Sequence, residues 1–325
     1  MHVIDQKKLG TQHYFKEDFS KNGKRPWFGD MSTHLENDFS FAVVGDRCGI
    51  TTPGIFEKGL QVVKGLNPDF VLSVGDFIEG YWDQEEAAHG EWDYIDQLIK
   101  EVDIPFYLTV GNHDYGNDTM VKVWRERKGF EYYAFRLNDY LFLVLNTEEN
   151  PLGMPESFVK SFRDITNQVV ENPAKARGYI EEFFGQMTEG ASEEDIEKGN
   201  LPHISDEQLQ FFAEVLHENN DVKHTFVFMH KPAWKTKDPK FSQFENMLES
   251  RMYTMFAGHL HQLEVTKKNN RNYIQMGRTG ACWHGDSVGS IDHILFVTVK
   301  NGEVGFQVIE LDDGVSDLEK YEVNQ

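Results

Sequence analysis

Apolar runs of four to six residues, rich in Val and Phe, recur along the chain and predict buried β-strands. Helix-like stretches at 53–64 and 85–101 separate the first three runs, and in the second stretch apolar residues recur every three to four positions. This alternation of strand and helix is typical of parallel strands joined by crossover helices. The predicted strands span residues 39–44, 70–74, 106–110, 225–229 and 252–257.

Polar dipeptides between paired apolar runs predict three β-hairpins in the middle and the last third of the chain. Asparagine and glycine tolerate the positive φ angles that tight hairpin turns require. Together with the parallel strands, the hairpins predict an α/β (α+β) fold with two mixed β-sheets and helices outside them. The turns are Asn138-Asp139, Asn269-Asn270 and Asn301-Gly302.

Residues 150 to about 204 interrupt this order with two predicted helices, at 156–170 and 174–187, and an acidic run at 193–195. We expect a solvated helical excursion here; the alternatives are a cap over the functional site or a dimer contact. The order resumes at Ser205, which begins a capping box ahead of a helix. We therefore predict one domain over 39–310 with this helical acidic insertion, an N-terminal extension over 1–38 and a C-terminal tail over 311–325.

Length and charge narrow the classes of protein. A chain of 325 residues can bury a hydrophobic core that is stable without disulfides or structural metal ions, and its two cysteines cannot form a disulfide framework. The net charge of −22 argues against a protein that coats nucleic acid or binds anionic membranes peripherally. No basic start precedes an apolar run, and no apolar stretch approaches about 20 residues. We expect a cytoplasmic protein without a membrane span; a homo-oligomer is compatible with the sequence.

Five polar clusters lie where predicted strands end, and such strand ends gather at one edge of an α/β sheet. Each cluster alone is weak evidence. Together they supply carboxylates, one amide and imidazoles, the oxygen and nitrogen ligands that two adjacent divalent ions require. The clusters are Gly45-Asp46-Arg47-Cys48, Gly75-Asp76, Gly111-Asn112-His113-Asp114, His230 and Gly258-His259-Leu260-His261.

This set resembles the signature blocks of the calcineurin-like metallophosphoesterase superfamily, which read Asp-x-His, Gly-Asp, Gly-Asn-His-Asp, His and Gly-His-x-His. The resemblance covers about residues 39–310. It implies a four-layer α/β/β/α sandwich and a dinuclear centre of manganese, iron or zinc, in which Asp76 bridges the ions. The remaining implied ligands are Asp46 and His261 for the first metal, and Asn112, His230 and His259 for the second.

The resemblance also implies the reaction, which is hydrolysis of a small-molecule phosphate mono- or diester. Two cations about 3.5–4 Å apart clamp the phosphoryl oxygens and acidify a water into the attacking hydroxide. His113 resembles the general acid of the family, and Asp114 would orient its imidazole.

The first block departs from the family pattern, because Cys48 stands where the family has histidine. Its thiolate is a candidate ligand of the first metal, although a cysteine after a strand is more often a small buried side chain. Cys48 motivates a second hypothesis, a catalytically weak or inactive member that acts as a metal-binding interaction or regulatory protein. An interaction protein that works through the insertion is compatible with either hypothesis.

The second block argues against the protein serine/threonine phosphatase branch of the superfamily. That branch carries Asp-Arg-Gly soon after the second aspartate, and the arginine is missing here. Instead, Tyr81 and Trp82 follow Asp76; they are candidates for stacking on an aryl group or for packing in the wall of the site.

Three further residues are candidate substrate contacts. Arg47 is able to bind a phosphate as a bidentate fork, although we favour its pairing with a carboxylate. Arg278 and His284 lie on a glycine-broken loop beyond the last block, and such loops often contact substrates. The alternative for this loop is a simple turn between strands.

Overall fold

The computed structural model describes residues 8–9, 12–15, 23–32, 35–151, 153–188, 193–312 and 314–323. The strands in this part of the chain are β1 Lys8–Leu9, β2 Gln12–Phe15, β3 Trp27–Phe28, β4 Phe39–Val44, β5 Phe70–Ser73, β6 Phe106–Tyr107, β7 Tyr133–Leu137, β8 Tyr140–Val144, β9 His224–Phe228, β10 Tyr253–Ala257, β11 Glu264–Lys268, β12 Arg271–Gln275, β13 His293–Lys300, β14 Glu303–Glu310 and β15 Gly314–Asp317. The helices are α1 Ile55–Leu66, α2 Glu85–Val102, α3 Asp118–Lys128, α4 Glu156–Glu171, α5 Ala176–Thr188, α6 Glu193–Asn200, α7 Asp206–Glu218 and α8 Pro239–Met247.

The strands form two mixed sheets, in the orders β1-β2-β7-β8-β9-β10-β12-β11 and β15-β14-β13-β4-β5-β6-β3. The inner faces pack through phenylalanines: the Phe41 ring lies 5.7 Å from Phe142 and 5.1 Å from Phe226. Helices α1 to α3 cover the outer face of the second sheet, and α7 and α8 cover the first. This α/β/β/α sandwich confirms the predicted fold class.

Parallel and antiparallel pairings occupy different parts of the sheets. Strands β4, β5 and β6 are parallel, as are β8, β9 and β10, so their carboxyl ends lie at one edge. The three predicted hairpins are confirmed as β7–β8, β11–β12 and β13–β14. At the last turn Asn301 and Gly302 have φ angles of 53° and 83°, which asparagine and glycine adopt more readily than other residues.

Helix α7 begins at the predicted N-cap, but the capping box is only half formed. The Ser205 hydroxyl accepts a hydrogen bond from the Gln208 backbone N–H at 3.1 Å. The Gln208 side chain does not return to Ser205; it bonds the backbone N–H and C=O of Asn146, each at 2.9 Å. The Ser205 N–H donates to Glu149 instead. The buried glutamine therefore ties the helix to the end of β8.

The terminal segments contribute strands to the sheets. Within the predicted N-terminal extension, β1 and β2 join the first sheet and β3 pairs with β6 of the second. Strand β15 of the predicted C-terminal tail pairs with β14. No helix in the described ranges has the length and apolar character needed to cross a lipid bilayer.

The insertion is packed against the domain, so the expectation of a solvated excursion is wrong. Its helices α4 and α5 bury aromatic and aliphatic side chains in a cluster that includes Ile50 and Cys282 of the domain. Arg163 on α4 donates a hydrogen bond to the Gly80 carbonyl at 2.8 Å. Its guanidinium lies 3.3 Å from the Trp82 ring centroid. The predicted acidic run at 193–195 begins a third helix, α6.

Candidate metal centre and active site

The predicted polar clusters meet at the carboxyl edge of the parallel strands. Asp46 follows β4, Asp76 follows β5 and His230 follows β9, and their ligand atoms lie within 4.8 Å of one another. The His230 Nε2 lies 3.2 Å from an Asp76 carboxylate oxygen, and the His261 Nε2 lies 3.2 Å from Asp46. The edge of the sheets therefore brings together residues from four separate strands.

A second group of side chains converges on the amide of Asn112. Its Oδ1 lies 2.9 Å from the His230 Nε2 and 2.9 Å from the His259 Nδ1. Its Nδ2 donates to the Tyr81 hydroxyl at 2.9 Å, which orients the amide oxygen towards the two rings. Sequence reasoning weighed Tyr81 only as a stacking or wall residue; no spacing in the chain indicates this contact.

Backbone carbonyls fix the orientation of two imidazoles. The His230 Nδ1 lies 2.8 Å from the Val74 carbonyl, and the His261 Nδ1 lies 3.0 Å from the Cys282 carbonyl. Because a carbonyl only accepts, each Nδ1 carries a proton, so Nε2, which lies beside a carboxylate, is the nitrogen left to bind a metal ion. This tautomer, held by a hydrogen bond at the other nitrogen, is the usual one for metal-binding histidine.

Buried oxygen in this cluster fits a cation. The Asp46 Oδ1 is buried without a hydrogen-bond partner among the described residues, an arrangement that costs free energy unless a cation balances the charge. A Cβ on Gly258 would lie 2.1 Å from this oxygen, so only glycine leaves the space free. The donors are carboxylate and amide oxygens with imidazole nitrogens, which suit divalent metals. The residues present therefore fit the implied metal centre.

Three of the implied ligands have left-handed backbone conformations, with φ angles of 58° at Asp76, 72° at His259 and 53° at His261. Such angles are unfavourable for residues other than glycine and cluster at functional sites. At Asp76 the conformation is held by Asp114, whose carboxylate accepts the Asp76 N–H at 2.8 Å. The backbone is thus shaped to turn side chains into the site.

Electrostatics in the cluster depends on burial and on neighbouring charges. Burial raises the pKa of Asp46 to about 8. Burial would also raise the pKa of Asp76, but His230 and His113 outweigh it and lower that pKa. The pKa of His230 rises to about 10 despite its burial, because Asp76 stabilises the imidazolium. Burial lowers the pKa of His261 to about 4. Asp46 and His230 thus hold protons that a bound cation has to displace.

His113 is fixed by a different residue from the one predicted. Its Nδ1 lies 2.8 Å from the Glu79 carbonyl oxygen, so Nδ1 carries a proton and Nε2 faces the cavity. The prediction that Asp114 orients this ring is wrong. The Asp114 carboxylate accepts backbone N–H groups of Asp76, Phe77 and Gly111 at 2.8 to 3.0 Å. It therefore ties together the two loops that carry Asp76 and Asn112.

Glu79 is a site residue that sequence reasoning missed. Its buried carboxylate accepts the backbone N–H groups of residues 49, 50 and 51, at 3.3, 3.1 and 2.7 Å. The loop after the first cluster is therefore held by the loop after the second. No motif marks this glutamate, because its partners are backbone groups.

Comparison with known proteins decides the family. The family model described as calcineurin-like phosphoesterase matches residues 39–263, more than half of the chain. The chain belongs to the calcineurin-like phosphoesterase family. The matched range contains Asp46, Asp76, Asn112, His230, His259 and His261, whose oxygen and nitrogen donors suit divalent metal ions.

Curated relatives match part of this phosphoesterase. Mouse serine/threonine-protein phosphatase CPPED1 is 30% identical over 152 residues, which cover 40% of this chain and 47% of the relative. The rat protein of the same name is 27% identical over the same shares. The chain thus spans about half the length of these relatives. A dimetal phosphatase from zebrafish shares the fold at a TM-score of 0.56 and 12% identity, covering 86% of this chain and 98% of that one.

Cys48 has the surroundings of a structural residue in this phosphoesterase. It is fully buried, and burial raises the pKa of its thiol well above the ordinary value. The groups of candidate metal ligands found among the described residues do not include it. Cys282 lies beside the centre instead, with its Sγ 3.8 Å from the His261 Nδ1. The structure therefore favours the small buried side chain over the ligand.

The two predicted substrate arginines are engaged in the framework. Arg47 donates to the Phe77 carbonyl at 2.8 Å, and the favoured pairing of Arg47 with a carboxylate is not among the ion pairs of the described residues. Arg278 pairs with Asp292 at 3.3 Å and donates to Ser290 at 3.0 Å. Of the three predicted substrate contacts, only His284 lines the cavity beside the metal cluster.

Two cavities open over the centre of this phosphoesterase, and both have walls from the insertion. The aromatic lobe, of about 140 Å³, is lined by Phe158, Phe162, Phe183, Phe184, Met154 and the rings of His113, His261 and His284, with Asn112 at its base. The polar lobe, of about 180 Å³, is lined by Glu148, Asn200, His203, Lys231 and neighbouring residues. Asn112, His259, Tyr81 and Met154 border both lobes. The insertion is therefore a cap over the site.

Proposed function

We propose that the chain hydrolyses a small phosphate mono- or diester at a dinuclear centre of manganese, iron or zinc. The observation that carries the proposal is the convergence of oxygen and nitrogen donors around the buried, unpartnered Oδ1 of Asp46. Asp76 lies within reach of both groups of ligands and is the bridging residue we propose. The proposed ligands are Asp46, Asp76 and His261 on one side, and Asp76, Asn112, His230 and His259 on the other.

Each residue of the centre has a separate task in this mechanism. Divalent cations held here would polarise the phosphoryl oxygens and lower the pKa of a bound water. Asn112 contributes a neutral oxygen, so the site keeps enough positive charge to attract a phosphate. The His113 ring lines the aromatic lobe, and its imidazolium is the proposed general acid: the Glu79 carbonyl holds the proton at Nδ1, and the proton at Nε2 goes to the leaving oxygen. The Glu79 carbonyl keeps that nitrogen turned towards the substrate.

A phosphoprotein is the second candidate substrate, because the curated relatives are named serine/threonine-protein phosphatases. The capped site favours a small substrate. Each lobe holds less than 200 Å³, and residues of the insertion line both of them. A phosphorylated polypeptide would have to fit its phosphate and the adjoining chain between these walls to reach Asn112. The missing arginine after Asp76 also argues against this candidate.

Hydrolysis of an aryl phosphomonoester beside the matching diester tests the proposal. The protein is stripped of metal and reloaded with Mn²⁺, Fe²⁺ or Zn²⁺. We expect turnover of one ester that metal restores, and a loss of about 10³-fold in Asp76→Asn. The matched control is Asp312→Asn, an exposed carboxylate paired with Lys58, which should leave turnover unchanged. Metal binding without turnover of either ester would favour the non-catalytic, metal-binding alternative.

A further inference from the structure

We propose that the aromatic lobe receives an aromatic ring of the leaving group. The substrate class would then be phosphate esters in which the ring is joined to the ester oxygen directly or through one carbon. The inference rests on the proposed function, since it assigns the leaving group at the same centre. In this step water adds to phosphorus, the bond between phosphorus and the ester oxygen breaks, and the His113 imidazolium gives its Nε2 proton to the leaving oxygen. The proton that the attacking water loses returns His113 to its protonated form.

Three phenylalanine rings of the insertion form a continuous wall of this lobe. Phe158 and Phe162 lie one helical turn apart on α4, with ring centroids at 6.1 Å and planes 20° apart. Phe183 on α5 lies 6.0 Å from Phe158 and 6.3 Å from Phe162. These separations are within the range in which aromatic rings attract one another. A further ring in the lobe would find both a face and an edge to contact.

The wall adjoins the proposed general acid. The Phe162 ring centroid lies 5.3 Å from that of His113. The His284 ring, which also lines the lobe, lies 4.3 Å from His261 and 5.0 Å from Phe184. A group in the lobe thus lies beside rings that adjoin the metal cluster. Because the lobe adjoins His113, only one or two bonds can separate a ring in the lobe from the leaving oxygen that His113 protonates. We therefore propose a direct or one-carbon connection between the ring and that oxygen.

The size and polarity of the lobe select one ring. A cavity of about 150 Å³ lined by apolar side chains binds benzene, and the aromatic lobe has a volume of about 140 Å³. The polar lobe contains the buried Lys231–Glu148 ion pair, with 2.9 Å between the charged atoms. Pushing an apolar ring against that pair would strip its hydration, so the ring belongs in the aromatic lobe.

Binding of two inert analogues tests the inference without turnover. Metal-loaded protein is titrated calorimetrically with phenylphosphonate and with methylphosphonate, which differ only in the ring. We expect phenylphosphonate to bind at least about tenfold more tightly, and Phe183→Ala to remove most of that difference. Phe183→Leu keeps the packing of the cap and should lose only part of the difference in affinity between the two phosphonates. Equal binding of the two phosphonates to the wild-type protein would overturn the inference.

Kinetics provides the second readout and separates the two proposals. Phenyl and benzyl phosphate are compared with glycerol 2-phosphate in the wild type, Phe162→Leu and the control Phe211→Ala, which lies on α7. We expect Phe162→Leu to raise KM severalfold for the two aromatic esters alone, with Phe211→Ala unchanged for all three. An equal effect on all esters would overturn the inference. If no ester is turned over but phenylphosphonate binds tightly, the proposed function would be overturned, whereas the inference that the aromatic lobe binds a ring would be supported.

Discussion

The metal centre and the cap over it are built in different ways. At the centre, Asp46, Asp76 and Asn112 are held by backbone and side-chain hydrogen bonds at the ends of buried strands. In the cap, helices α4 and α5 reach the same cavity through aromatic rings. Arg163 on α4 holds the cap to the domain by its contact with Trp82. The centre presents fixed donors, whereas the cap presents shape and apolar surface.

This difference separates chemistry from recognition. The donors at the strand ends determine which ions and which reaction the site supports, because their positions are fixed by the sheets. The rings of the cap determine which leaving group fits, and they are independent of the strand order. We therefore expect changes at the strand ends to abolish metal binding and turnover together. Changes in the cap should alter the choice of substrate.

Among residues that are not themselves proposed ligands, the largest effect is expected for Gly258→Ala, which tests whether the space beside Asp46 is essential. The added methyl group would lie 2.1 Å from the Asp46 Oδ1, so the carboxylate or the strand has to move. A displacement of about 1 Å at a reacting centre can cost about 10²-fold in rate. We expect at least that loss in kcat/KM for every ester, with thermal unfolding as the check on folding. Gly178→Ala on α5 meets no atom within 4 Å, lines neither lobe and is the matched control.

A smaller loss is expected for Asp114→Asn. The asparagine keeps the size of the side chain but has only one acceptor oxygen for the backbone N–H groups of Asp76, Phe77 and Gly111. Residues that hold metal ligands in place are typically worth 10- to 100-fold in metal affinity or activity. We expect a loss of about that size in metal affinity, measured by competition with a chelating dye. Unchanged affinity would contradict the role assigned to Asp114.

Metal affinity should depend on pH. Burial raises the pKa of Asp46 to about 8, so below that pH an incoming cation has to displace its proton. Affinity should then rise with pH below about 8 by up to about a hundredfold per unit, because the proton of the His230 imidazolium, whose pKa is about 10, has to leave as well. Calorimetric titrations in buffers of different ionisation enthalpy would count the protons released. Affinity independent of pH between 6 and 8 would contradict the assignment.

The smallest effect is expected for Arg163→Ala, which loosens the cap and leaves the centre intact. The variant loses the hydrogen bond to Gly80 and the contact with Trp82, and a cation–π contact is worth about 1 kcal/mol. We expect KM to rise about fivefold with little change in kcat, and amide exchange to accelerate over 156–171. Arg163→Lys retains the charge and should be intermediate. A loss of metal binding would show that cap and centre are not separable.

The sequence predicts the frame and the centre because both leave local signals. Buried strands leave apolar runs, hairpin turns leave residues that tolerate positive φ, and strand-end donors directly follow the runs. The strands β4, β5, β9 and β10 and the position of Asp76 follow from these signals. The roles of the individual ligands stay predictions until metal binding is measured.

Contacts that depend on backbone groups or on distant helices leave no such signal. Glu79 and Asp114 bind backbone N–H groups, which every sequence offers, so their partners are not readable. Arg47 and Arg278 are ordinary basic residues in the sequence, and only the fold shows that a carbonyl and Asp292 engage them. The cap was predicted as helices, but periodicity does not show which surface a helix covers.

Counting metal ions tests the central claim most directly. We propose that Asp46, Asp76 and Asn112 organise two cation sites in one cluster. Calorimetric titration of metal-free protein with Mn²⁺ should give two ions per chain in the wild type, and at most one in Asp76→Asn, with Asp312→Asn unchanged. A wild-type protein that binds no ion, or an Asp76→Asn variant that still binds two with unchanged affinity, would contradict the account.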